Sequence, residues 1–170
     1  MSFEELENID IDDDLKTLLI NYVTSYNTCK NNIEYIEDLE KEKMIICETP
    51  KKSIFISKCK NCIFTLNNKI NHITLEKCNN IILIVNDGLM SGIDILHSHN
   101  VTCLIQKPIY FLGCGASSNI TLILKKENML IDYTNCYQMN IKLLDKKIKT
   151  YKMNYSLFSD RTTFNINDLK

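Results

Sequence analysis

Tryptophan is absent from these 170 residues, alanine and arginine occur once each, proline twice and glycine four times. A single alanine is not the composition of a helical bundle, whereas 25 isoleucines suit the pleated surface of a sheet. No apolar run approaches the ~18 residues that cross a bilayer, so membrane insertion is not expected. The start, MSFEELENID, has neither a basic flank nor an apolar stretch, so no secretory signal is read there and a cytoplasmic location is expected. Eight cysteines without export are then expected as reduced thiols, not as a disulfide framework.

What is present is unevenly distributed. The formal net charge of −1 conceals an acidic segment, residues 1–42 at −9, ahead of a basic body, residues 43–170 at +8. The length fits one domain with a short appendage. Within the acidic segment, Leu15, Leu18, Leu19, Tyr22, Val23 and Tyr26 share one helical face. Asp12, Asp13 and Asp14 stand before them, where carboxylates favour the positive end of a helix dipole. This spacing predicts an amphipathic helix near 13–27, docked on its own domain or on a partner.

An internal repeat carries the fold. Asn61, Asn80, Asn100, Asn119 and Gln138 follow one another at intervals of 19, 20, 19 and 19. Two residues before each stands a small side chain: Cys59, Cys78, Ser98, Ser117 and Cys136. Seven before stand Ile54, Ile73, Ile93, Leu112 and Ile131, and alternate positions after each anchor are apolar throughout. Period-two alternation on both sides of the anchor means two strands per copy with one face inward. Ile70, Met90 and Ile109, each ten before the next anchor, suggest a third strand. Short strands recurring every 19 residues or so make the coils of a parallel β-helix, in which like residues stack on like and each coil buries its neighbour. After Leu144 the phase is lost. Met153, Tyr155 and Leu157 then alternate, Ser159-Asp160 can turn, and Thr162, Phe164 and Ile166 alternate again. A hairpin is expected there, capping its own last coil or crossing to a second protomer.

The segments SIFISKC (53–59), KINHITLEKC (69–78), LMSGIDIL (89–96) and QMNIKLL (138–144) resemble the C-terminal domain of cyclase-associated protein, in the same order and at the same spacing over roughly residues 43–168. The resemblance implies a right-handed parallel β-helix that dimerises by exchanging a C-terminal hairpin and binds monomeric, preferably ADP-bound, actin. Longer members add a helical domain, a proline-rich segment and an actin-binding WH2 motif. Residues 1–42 are too few for these, and Pro50 and Pro108 are the only prolines. A short stand-alone form is known in apicomplexan parasites, and the Asn-, Lys- and Ile-rich composition fits an A+T-rich genome.

Other chemistries were weighed on their residues. Cys59-X-X-Cys62 with His72 and Cys78 has the ligand types of a zinc site, but the repeat phase places Cys59 and Cys78 inward on adjacent coils, as small core residues. His97-X-His99 reads as a solvated pair without a third ligand in phase. Glu76, Asp87 and Asp94 do not form the paired carboxylates of a polysaccharide-cleaving β-helix. A tubulin-cofactor-C-like GTPase activator inserts an arginine, and the only one here is Arg161 in the terminal segment. Scattered lysines without interleaved aromatics do not suggest a nucleic-acid surface.

The expected architecture is therefore all-β: a right-handed parallel β-helix of about six coils over 43–150, a partly helical acidic leader over 1–42 and a dimerisation hairpin over 151–170. The expected function is binding of monomeric actin without enzymatic activity or cofactor, by sequestration, nucleotide exchange or both, in a cytoskeleton-associated protein. A GTPase-activating or passive scaffold β-helix is the alternative. Outward phase in the matching segments assigns Lys58, Lys69, Asn71, Thr74 and Glu76 to the actin surface, and charge adds Lys125 and Lys126. Tyr155, Leu157, Phe164 and Ile166 are assigned to the dimer.

Overall fold

A strand with alternating apolar residues cannot bury them alone; here each is covered by its equivalent in the next coil. The computed structural model describes residues 32–46, 48–49, 52–125, 130–144, 149–153 and 162–165. The helix expected near 13–27 lies outside them. Six coils of two strands follow one another: β1 (Ile33–Glu37) and β2 (Lys43–Ile46), β3 (Ser53–Ser57) and β4 (Ile63–Leu66), β5 (Ile70–Glu76) and β6 (Asn79–Val85), β7 (Leu89–Leu96) and β8 (His99–Ile105), β9 (Phe111–Gly115) and β10 (Ser118–Leu124), β11 (Leu130–Thr134) and β12 (Tyr137–Leu143). Odd strands form one parallel sheet, A, and even strands the other, B. This is the expected β-solenoid, and it already includes β1, upstream of the boundary expected at residue 43.

The rows match the repeat. Ile54, Ile73, Ile93, Leu112 and Ile131 stand in register in sheet A, and Phe64, Leu83, Cys103, Leu122 and Ile141 in sheet B, all buried. Each buried aliphatic side chain stabilises the fold by roughly 1.5–3 kcal/mol relative to exposure. The third strand is corrected. Ile70 and Leu89 open β5 and β7, and Ile109 is buried outside any strand. Nor does Met90 point inward: it is 52% exposed, whereas Leu89 is 2% exposed. Ile70 pairs with Leu89 but His72 with Gly92, so a bulge at this point takes up the extra residue of the 20-residue interval. Gly92 (φ 153°) is required there, because a Cβ would run into the Phe111 carbonyl.

The anchors are a backbone requirement. Asn61, Asn80, Asn100, Asn119 and Gln138 all have φ between 54° and 57°, and Lys58, Lys77, His97, Ala116 and Asn135, three residues earlier, lie between 47° and 54°. Each coil thus turns from sheet A to sheet B through two left-handed residues. Asparagine tolerates that region best among residues with a side chain. Its amide adds a stack, Asn80 Nδ2 donating to Asn61 Oδ1 (2.6 Å) and Asn119 Nδ2 to Asn100 Oδ1 (3.0 Å). The earlier left-handed residue donates its N–H to the next coil: Lys58 to Glu76 O (3.0 Å), Lys77 to Leu96 O (3.0 Å), His97 to Gly115 O (2.9 Å) and Ala116 to Thr134 O (2.9 Å). The small residue between the pair finishes the corner. Ser98 Oγ donates to Leu96 O (2.8 Å) and accepts from Cys78 N (3.1 Å), and Ser117 Oγ donates to Gly115 O (2.8 Å) and accepts from Ser98 N (3.0 Å).

At the far end, β13 (Lys149–Met153) joins β12 and β14 (Thr162–Asn165) joins β11, both antiparallel. β13 and β14 therefore extend two different sheets of their own chain, while residues 154–161, with the turn and most of the first strand of the expected hairpin, lie outside the described residues. The reason is that the last coil presents two open edges, each with a row of free N–H and C=O groups. Phe164 stands opposite Ile131 in the register; Tyr155, Leu157 and Ile166 lie outside the described residues.

The corner geometry makes a direct test. Ala116→Asn, which places the tolerant residue at φ 47°, is expected to stabilise the protein by about 0.5–1 kcal/mol in urea unfolding. Asn119→Val, which puts a β-branched residue at φ 55° and removes an amide bond, is expected to destabilise it by about 2 kcal/mol or more.

Candidate partner-binding surface

Two flat faces and two edges are available to a partner, and the tight edge between sheets A and B carries a short run of exposed lysines. Its first left-handed row runs Asp38, Lys58, Lys77, His97, Ala116 and Asn135. The bridging row beside it runs Glu40, Lys60, Asn79, His99, Ser118 and Tyr137. In coils two to four this places Lys58, Lys60 and Lys77 on one ridge, continued by His97 and His99, all exposed. Lys77 Nζ lies 3.3 Å from Glu76, whereas Lys58 and Lys60 make no ion pair among the described residues. On the wide edge Lys52 lies 3.3 Å from Glu34 and 3.5 Å from Glu48, and Lys107 lies 2.7 Å from Asp87. The Lys107 ammonium, with the Gly88 N–H, holds Asp87 below its ordinary carboxylate range.

The residues assigned from sequence divide between these surfaces. Thr74 and Glu76 point outward from sheet A, and the Lys58 N–H bonded to the Glu76 carbonyl ties them to the tight edge. Lys69 and Lys125 lie on the opposite, wide edge, after β4 and β10 and three coils apart, roughly 14 Å along the stack. Asn71 sits at the bulge, where its amide donates to Ser53 Oγ (3.1 Å) and accepts from Ser91 Oγ (2.8 Å); it is a rung of a polar ladder. Lys126 and Arg161 lie outside the described residues. Lys60 and Lys77 were missed, although Lys58, Lys77 and His97 repeat at the same spacing as the anchors.

Sheet A also carries a groove of about 270 Å³ over its last three coils. Gly113 and Gly115 make its floor, and Asp94, Leu96, Phe111, Asp132 and Thr134 surround it. Asp94, Gly113 and Asp132 are in register, and the Asp94 carboxylate leans into the space where Gly113 has no Cβ. His72 Nε2 meets Asp94 Oδ2 at 2.9 Å on this face.

That pairing separates His72 from the thiols once weighed with it. His72 is outside the sheet wall, while Cys59, Cys62 and Cys78 are buried within it and donate S–H to the carbonyls of Ser57 (3.3 Å), Lys60 (3.2 Å) and Glu76 (3.4 Å). Burial pushes the Cys78 thiol up to about 11 and the Cys103 thiol up to about 12.

Parallel strands stacked in this way, with flat faces and a lysine-bearing edge, define a β-solenoid domain. Residues 23–156 match the family described as adenylate cyclase associated (CAP) C terminal, and the chain belongs to it. The fold is similar to that in the crystal structure of cyclase-associated protein from Cryptosporidium parvum, with a TM-score of 0.69 and 15% identity over 79% of this chain and 90% of that one. Among the described residues no helix is long and apolar enough to cross a membrane.

The raised thiols predict selective inertness. At pH 8 about one Cys78 thiol in a thousand is ionised, and fewer at Cys103, so native alkylation should leave both unmodified while denaturant exposes them. Mass mapping after iodoacetamide checks this; rapid native labelling of Cys103 would contradict it.

Proposed function

We propose that this domain binds monomeric actin, preferring the ADP form, and thereby sequesters monomers, promotes nucleotide exchange, or does both, as a cytoplasmic regulator of filament turnover. Membership of the CAP C-terminal family over residues 23–156 carries the reading. The tight edge supplies the physical means. Lys58, Lys60 and Lys77 form a ridge on a rigid β-stack, suited to steering and registering an acidic protein surface. Thr74 and Glu76 border that ridge on sheet A, and Lys69 and Lys125 belong to a separate, wide-edge contact.

The mechanism is differential binding, with no bond made or broken. A module that binds one conformation of actin more tightly shifts the population toward it. If that conformation releases nucleotide faster, exchange accelerates as its population grows. A pair of modules strengthens the effect, and the terminal strands suit pairing by exchange. β13 and β14 add antiparallel to the last coil, so a second copy's strands would reproduce the same hydrogen bonds at little cost. Tyr155, Leu157, Phe164 and Ile166 are placed in that exchanged segment.

Purified protein at near-stoichiometric ratio should slow assembly of actin and change release of a fluorescent ATP analogue from monomers; no effect on either contradicts the proposal. Reversal of Lys58, Lys60 and Lys77 to Glu should weaken binding about tenfold or more and flatten its salt dependence. Removal of residues 145–170 should convert a dimer to a monomer in sedimentation, with β-sheet circular dichroism retained. A truncated chain that stays dimeric contradicts strand exchange.

A further inference from the structure

The last two coils place two thiols together. Cys114 points inward from β9, and Cys136 occupies the small-residue position of the following corner, 4% and 5% exposed. Their Sγ atoms lie 3.2 Å apart, Cys136 donating to Cys114. Cys136 also meets the Thr134 carbonyl at 3.4 Å, as Cys59, Cys62 and Cys78 meet the carbonyls two residues before them; the second thiol is what this corner adds.

We propose that Cys114 and Cys136 form a redox-sensitive pair that a peroxide converts to an intrachain disulfide, cross-linking the fifth coil to the sixth. Three observations carry this. The two Sγ atoms lie 3.2 Å apart, about 1.2 Å beyond the bonded distance of about 2.05 Å. Cys114 itself lines the groove on sheet A, between Gly113 and Gly115, so a small oxidant reaches the pair from that face past the Asp94, Phe111 and Leu96 side chains that lean over the two glycines. The serines at the two preceding corners, Ser98 and Ser117, show that this position holds a polar atom against its neighbour, so cysteine adds redox chemistry to a site already built for a hydrogen-bonding group.

The chemistry balances with a hydroperoxide as the oxidant. The Cys136 thiolate attacks the terminal peroxide oxygen, the O–O bond breaks, and an alcohol or water leaves, with a sulfenic acid on Cys136. Cys114 then attacks Cys136 Sγ, the S–O bond breaks, and water leaves with the remaining proton. Two thiols lose two electrons in total, and the peroxide gains them. The pair is polarised for this order. Once Cys136 ionises, the hydrogen bond from the Cys114 S–H stabilises it and lowers Cys136, while that same hydrogen bond and deep burial push Cys114 up.

The cross-link lies in the coil whose open edges carry β13 and β14, so oxidation stiffens the end of the solenoid. This inference is independent of the actin proposal.

The test uses the full chain exposed to hydrogen peroxide, followed by blocking of free thiols, proteolysis without reductant and mass mapping. The expected product is one cross-linked peptide pair joining Cys114 to Cys136, two hydrogens lighter than the reduced pair, and a melting temperature raised by about 5 °C and restored by reductant. Cys136→Ser places at this corner the residue found at two others, so it should fold. It should lose both the cross-link and the peroxide-dependent shift. Retention of both free thiols, a cross-link that maps to other cysteines, or a disulfide between chains would overturn the proposal.

Discussion

Everything in this protein depends on every coil making the same tight turn. A strand shifted by one residue against its neighbour would present its polar side chains to the core and its apolar ones to water. The pair of left-handed residues three positions apart prevents this, because it fixes where sheet A stops and sheet B starts in each coil. The buried row between them secures the carbonyls that the turn would strand, through serine hydroxyls in two coils and cysteine thiols in others. Where one interval is longer, the extra residue is confined to a bulge before Gly92, far from the tight corner.

That constraint also determines what the surfaces can be. The core consumes one residue in two, so both flat faces consist of the alternate residues, and the corners hold whatever the backbone tolerates at positive φ. Lysine at the left-handed positions 58 and 77 carries some backbone strain, offset by an N–H bond to the next coil. The result is a short cationic ridge along the tight corner. A stack of this kind ends in open edges, and the two terminal strands close one end sheet by sheet.

Much of this was legible in the sequence, for a physical reason. In a solenoid, equivalent residues touch, so spacing alone reveals contacts such as Ile73 on Ile93 and Asn119 on Asn100. What escaped involves backbone conformation. The asparagines were visible as a row but not as left-handed residues, and without that the lysines at the same corner looked scattered. Met90 was placed inward because counting back from the anchor cannot register a bulge.

The central claim is that the tight basic edge is the surface that meets monomeric actin. Lysine-reactivity footprinting tests it most directly: the free protein and its mixture with ADP-actin are briefly acetylated, and modification is compared residue by residue. Protection of Lys58, Lys60 and Lys77 by several-fold, with Lys142 on the outer face of sheet B unchanged, is the predicted result. Equal reactivity of all lysines with and without actin, or protection confined to Lys142 and Lys125, would contradict it.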